Sequence, residues 1–145
     1  MATSPLELRT RAVSRSVASI VGALFSLTAC GLGGAAYQSS PNGDAAVVEM
    51  TNTWSFVPDD LTVRVGQTVE WRNRSIFTHT VTDDRETAED PADAVLPAGA
   101  ETFSFEIAPG EIHRRVFHVP GTYRYFCEPH EGFDMVGRLV VEPAT

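Results

Sequence analysis

The segment Gly121–Val141, GTYRYFCEPHEGFDMVGRLVV, carries a thiol, an imidazole and a thioether on one short loop: Cys127, His130 and Met135. Both flanks read as strands. Successive side chains of a strand point to opposite faces, so Tyr123, Tyr125 and Cys127 share one face, taken as the inner one. Cys127 then ends a buried strand, Glu128-Pro129 turns the chain, and Met135 opens the next strand. A soft thiolate, a borderline imidazole and a weak thioether suit magnesium, calcium or structural zinc poorly. With a second imidazole they suit a trigonal copper site with a long axial bond. The obvious source of that imidazole is His79, in the segment FTHTVTD.

Outward from this loop, short runs rich in Val, Thr, Phe and Trp alternate with Pro and Gly signals. Strands are expected over Val47–Asn52, Phe56–Val57, Leu61–Val65, Thr68–Asn73 and His79–Thr82, then Glu101–Ile107, Ile112–Val119, Thr122–Cys127 and Met135–Glu142. About eight or nine strands without a helical pattern predict an all-β fold, a Greek-key antiparallel β-sandwich. Because His79 lies far from the 127–135 loop in sequence, the site is expected to tie the two sheets together near one pole. Trp54 and Trp71 read as core residues. The acidic stretch 83–97, DDRETAEDPADAVLP, breaks the rhythm. It reads as a solvated loop with room for a short helical turn, or as an acidic patch that steers a basic redox partner.

YFCEPHEGFDMVGRLVV, preceded by GTYR, resembles the copper loop of plastocyanins and of the halocyanins of salt-loving archaea. WRNRSIFTHTVT resembles the strand and turn that bring in the first histidine, and the likeness runs over roughly residues 45–142. This resemblance implies a cupredoxin fold and a type 1, or blue, copper protein carrying single electrons. The implied ligands of its one copper are His79, Cys127, His130 and Met135. It also implies that the backbone N–H of Thr80 donates to the thiolate. His130 is then the electron exit, beneath an apolar patch formed by Pro129, Phe133 and Phe77. The implied partners are redox proteins that dock near His130 on a monomer.

The 145-residue chain predicts one domain, and its net charge of −8, with arginine as the only strongly basic residue, argues against nucleic acid as a partner. Residues 1–29 read as a lipoprotein-type signal peptide. Arg9, Arg11 and Arg15 precede the apolar run VASIVGALFSLTA, which is short against the about 20 residues of a membrane span. Leu27-Thr28-Ala29-Cys30 resembles a lipobox, which makes Cys30 the expected lipidation site and the outer face of the cell membrane the expected location. A periplasmic or secreted protein is the alternative. Residues 30–45 read as a flexible tether and 46–145 as the domain. The chain has two cysteines. With Cys30 lipidated, Cys127 has no disulfide partner, and a bound metal accounts for its persistence as a thiolate.

Copper storage or delivery is the second functional reading, although delivery sites favour Met-rich sets and only Met135 is in position. A copper enzyme needs a second centre, and the remaining histidines, His113 and His118, lie on opposite faces of one strand. Four closed ligands leave no position for the water of a zinc hydrolase.

Overall fold

Alternation sets the inner faces of the sandwich. In the strand Leu61 and Val63 belong to, every second residue is buried, and the same holds for Ala46, Val48 and Met50, and for Gly137, Leu139 and Val141. The computed structural model describes residues 37–38, as backbone, and 44–144. The segment 1–29, Cys30 and most of the tether read at 30–45 lie outside the described residues.

The strands are β1 (Tyr37–Gln38), β2 (Ala46–Met50), β3 (Phe56–Val57), β4 (Asp60–Arg64), β5 (Thr68–Asn73), β6 (His79–Thr82), β7 (Ser104–Ile107), β8 (Ile112–Val116), β9 (Gly121–Phe126) and β10 (Val136–Glu142). They form one sheet in the order β1-β4-β10-β9-β6-β7 and another in the order β3-β2-β5-β8. The expected sandwich is thus present, with one refinement. The pairs β1–β4, β4–β10 and β2–β5 run parallel, so both sheets are mixed. Alternation reports which face is buried and carries no information on strand direction. β7 starts at Ser104, later than expected, because the N–H of Phe103 donates to the Asp83 carboxylate at 2.9 Å.

Trp71, fully buried on β5, is the hub between the sheets. Its ring meets Tyr125 edge-on at 5.7 Å, Phe105 at 5.4 Å and Phe117 at 6.2 Å. Burial of each such side chain contributes about 1.5–3 kcal/mol. Gly137 is required beneath Tyr125: a Cβ there would lie 2.3 Å from the phenol ring.

Two expectations about placement are corrected. His79 opens β6, Cys127 follows β9 and Met135 precedes β10, and all three strands belong to the larger sheet. The site therefore sits at one end of a single sheet and does not staple the two. The acidic stretch is not simply solvated, and residues 83–97 form turns and a bridge with no helical segment. Val95 bridges to Arg124 of β9 through backbone hydrogen bonds of 3.2 and 2.9 Å, Asp93 pairs with the Arg124 guanidinium, and Ala94 is buried. The loop thus pairs with the backbone edge of β9 through an antiparallel bridge.

Candidate metal centre

The sequence-predicted residues meet at one pole of the larger sheet. The strand β9 delivers Cys127 into a 3₁₀ turn, Glu128–Phe133, with proline in its first turn. That turn carries His130 back over the thiol. It ends at Asp134 in the left-handed region (φ 66°), a conformation Asp tolerates better than most residues. The N–H of Cys127 donates to the carbonyl of Met135 at 3.0 Å, and the N–H of Met135 donates to the carbonyl of His130 at 3.2 Å, so the loop closes on itself. Met135 is fully buried at the foot of this closure.

His79 Nδ1 lies 3.5 Å from Cys127 Sγ, and His130 Nδ1 lies 3.3 Å from it. These three donor atoms all fall within 4.8 Å of one another. His79 and Cys127 are buried, and His130 is half-buried. The backbone N–H of Thr80 donates to Cys127 Sγ at 3.3 Å, as the resemblance implied.

Burial pushes both imidazoles below their ordinary values, His130 adding to the effect at His79. Both rings are thereby held neutral near pH 7, the form in which they donate to a cation. Burial also pushes the Cys127 thiol up, against the Thr80 N–H that favours the thiolate. A bound cation would reverse that balance, because its charge would outweigh the burial and a coordinating thiol is deprotonated outright. Two imidazole nitrogens and a sulfur, preorganised around a common point, fit a soft or borderline metal.

Comparison with known proteins agrees with this donor chemistry. The family described as copper binding proteins, plastocyanin/azurin family, matches residues 44–142. The chain belongs to that family. Copper, one ion, is its cofactor, and the family's members are electron carriers, not enzymes. Among similar proteins, the plastocyanin of Scenedesmus fuscus is 40% identical over 90 residues, 60% of this chain and 86% of that protein. The chloroplastic plastocyanin of Hordeum vulgare is 32% identical over 135 residues, 90% of this chain and 76% of that protein. Among solved structures, a Cu(I) form of an amicyanin variant superposes with a TM-score of 0.53 at 29% identity, covering 71% of this chain and 86% of that one. A purple cupredoxin from Nitrosopumilus maritimus shares the fold, with a TM-score of 0.52 at 22% identity, covering 67% of this chain and 99% of that one.

Within this cupredoxin, several residues around the site were not singled out by sequence. The Nε2 of His79, on the far side of its ring, is 2.9 Å from Ser75 Oγ. Ser75 Oγ donates to Asn73 Oδ1 at 2.8 Å, and Asn73 Nδ2 donates to the carbonyls of Phe77 and Ile107 at 2.7 and 2.9 Å. This closed, buried network fixes which nitrogen of His79 faces the sulfur. Asn73 ends β5, so the smaller sheet reaches the site through hydrogen bonds. The buried carboxylate of Glu131 accepts the backbone N–H groups of Glu89 and Asp90 at 2.8 and 2.9 Å, and Thr87 Oγ1 donates to Glu128 Oε1 at 3.2 Å. These contacts brace the 3₁₀ turn against the acidic loop. Their only sequence signal was the acidity of both segments, which suggests repulsion and not contact.

Trp54 packs against the core, partly buried, and is also a neighbour of the site. Its indole stacks on the His130 imidazole, with ring centres 5.5 Å apart and planes 12° from parallel. His113 and His118 stay away from the centre: His113 stacks on Phe105 at 3.6 Å and His118 is exposed on the segment after β8.

Proposed function

We propose that this family member is an extracytoplasmic one-electron carrier whose copper is held by His79, Cys127, His130 and Met135. It shuttles electrons between membrane-associated redox proteins that dock over His130. The observation that carries the reading is the convergence of two imidazole nitrogens and one thiol sulfur within 4.8 Å, buried except on the His130 side. When bound, copper supplies a single-electron couple in an environment that changes little between its two charge states.

The chain's own residues supply the rest. Closure of the 127–135 loop and the Ser75–Asn73 network hold the donors in place before and after transfer. The exposed side chains of Ile76, Phe77 and Phe133, at 76%, 39% and 63% exposure, form an apolar rim beside His130. Contact through a small apolar rim permits transient docking without tight binding. Glu86, Glu89, Asp90 and Glu128, all exposed, flank the rim and favour a basic partner by steering encounter. Lipid attached at Cys30, with residues 30–45 as tether, would keep the domain near its partners.

The copper-loaded protein tests the assignment. An intense visible charge-transfer band, a narrow copper hyperfine splitting and a reversible one-electron wave are expected. Tight copper binding without that band, or copper passed readily to a chelator without a reversible wave, sinks the carrier reading in favour of delivery. Mass spectrometry of the mature protein tests the anchor: an unmodified Cys30, or cleavage beyond it, removes the membrane tether.

A further inference from the structure

We infer that Trp54 is a positioning residue for His130: its indole lies flat on the imidazole and fixes the plane of the one donor ring that approaches solvent. This rests on the reading of His130 as a copper ligand and extends it to a residue outside the donor set.

Two independent features of Trp54 converge on that role. Its backbone has φ 54°, the left-handed region that a bulky residue rarely adopts. A turn needing only closure at that point would take Gly or Asn. Second, the ring is stacked within 12° of parallel on His130, and it also contacts Phe133 at 4.6 Å and Phe77 at 6.4 Å between centres. The position is unfavourable for the backbone, and it is justified by what the ring covers. Such unfavourable features persist only where the surroundings over-determine them.

The surroundings do so here. The N–H of Thr51 donates to the carbonyl of Ser55 at 3.1 Å, and that of Trp54 to the carbonyl of Thr51 at 3.3 Å. The turn is also joined to the loop before His79: the N–H of Ile76 donates to Asn52 Oδ1 at 2.9 Å, and that of Arg74 to the carbonyl of Met50 at 3.0 Å. Trp54 thus connects the segments that carry the two imidazoles. It is held from below by a hydrogen-bonded turn and holds His130 by its face alone. The edge of the imidazole stays available for an approaching partner.

The test uses the full protein carrying Trp54→Phe, Trp54→Leu and Trp54→Gly, read with cobalt(II) as a spectroscopic metal and with copper. Phe keeps a flat ring, Leu keeps apolar bulk without a plane, and Gly relaxes the backbone and removes both. An aromatic pair of this kind corresponds to a factor of about 2–10 in an equilibrium constant. The cobalt(II) dissociation constant is therefore expected to rise about 2–10-fold in the Leu and Gly variants, with the Phe variant within about twofold of the parent. The hyperfine-shifted ring protons of His130 should move in the Leu and Gly variants and stay near their parent positions in Phe. The inference is overturned if Leu matches Phe in both readouts, or if all variants lose only thermal stability while cobalt affinity and the His130 signals are unchanged. A parent protein that binds cobalt but gives no reversible copper wave refutes the carrier function and leaves the positioning role standing. A reversible parent with indistinguishable variants refutes the positioning role alone.

Discussion

The two imidazoles of the site have the same chemistry and are held in opposite ways. His79 is fully buried, opens a strand, and is fixed by hydrogen bonds through Ser75 to Asn73 and on to two backbone carbonyls. His130 is half-buried, rides on a short turn, and is fixed by ring faces: Trp54 stacked above it and Phe77 edge-on at 6.5 Å. A buried polar network is rigid because each unmade bond there costs a full desolvation penalty. Aromatic contact gives weaker restraint, and its apolar ring faces can form the floor of a docking surface. One side of the site is built for permanence and the other for access. Cys127 sits between them, and its replacement is the most damaging change. Cys127→Ser is expected to abolish the intense visible band, because that band requires the copper–thiolate bond. A variant that stayed blue in an absorption spectrum would mean that neither imidazole is paired with this sulfur.

The buried side is next most sensitive. Asn73→Ala removes the amide donor to the carbonyls of Phe77 and Ile107 and the acceptor of the Ser75 N–H, leaves the Phe77 carbonyl with the Ser75 hydroxyl at 3.0 Å, and frees Ser75 from its role at His79. A loss of about 3 kcal/mol in unfolding free energy is expected, read from denaturant midpoints, since several buried groups go unmet. If Asn73→Ala cost no more than a surface substitution, the contrast between a polar-anchored and a ring-anchored imidazole would fail.

Much of this was legible in the chain because periodicity and ligand chemistry are local signals. Alternation at Leu61–Val65 and Thr122–Cys127 located strands and their inner faces, and the soft donors at 127, 130 and 135 indicated copper before any fold was known. Three things were not legible. Strand direction leaves no mark on alternation, so the parallel β2–β5 and β4–β10 pairs were read as antiparallel. Sheet membership is a pairing property, so β6 could not be assigned to the sheet of β9 and β10 from sequence. Trp54 carried no sign of its role: an aromatic residue near a strand end defaults to the core, and only the turn at φ 54° directs its ring to His130. Glu131 was hidden for a related reason, since its partners are backbone N–H groups of a loop with the same charge.

Glu131 offers the corresponding test on the accessible side. Its carboxylate accepts two N–H groups of the acidic loop, and charge-assisted bonds of this kind contribute about 2 kcal/mol. Glu131→Ala is expected to raise hydrogen exchange at Glu89 and Asp90 well above that at Val81, deep in β6. Uniform loss of protection across both regions would show that the two sides of the site unfold as one, and that their different anchoring has no energetic consequence.

The smallest effect concerns the far end of β6, just past Thr82. Asp83 is buried; its Oδ1 accepts the Thr102 hydroxyl at 2.6 Å and the Phe103 N–H at 2.9 Å, while Oδ2 is buried without a partner. Burial raises this carboxyl above its ordinary 3.8, although both donors and the charge of Arg115 favour the anion. The folded state therefore takes up the proton more readily than the unfolded chain does. Its contribution to stability is complete below the ordinary value and is lost as pH rises through the raised one. Asp83→Asn keeps an acceptor for the two donors and never ionises, so that loss disappears. Urea midpoints measured from below the ordinary carboxylate range to neutrality should show the variant gaining on the parent as pH rises. Parallel curves would mean that water reaches Oδ2, and that this end of β6 is less dry than the His79 end it continues.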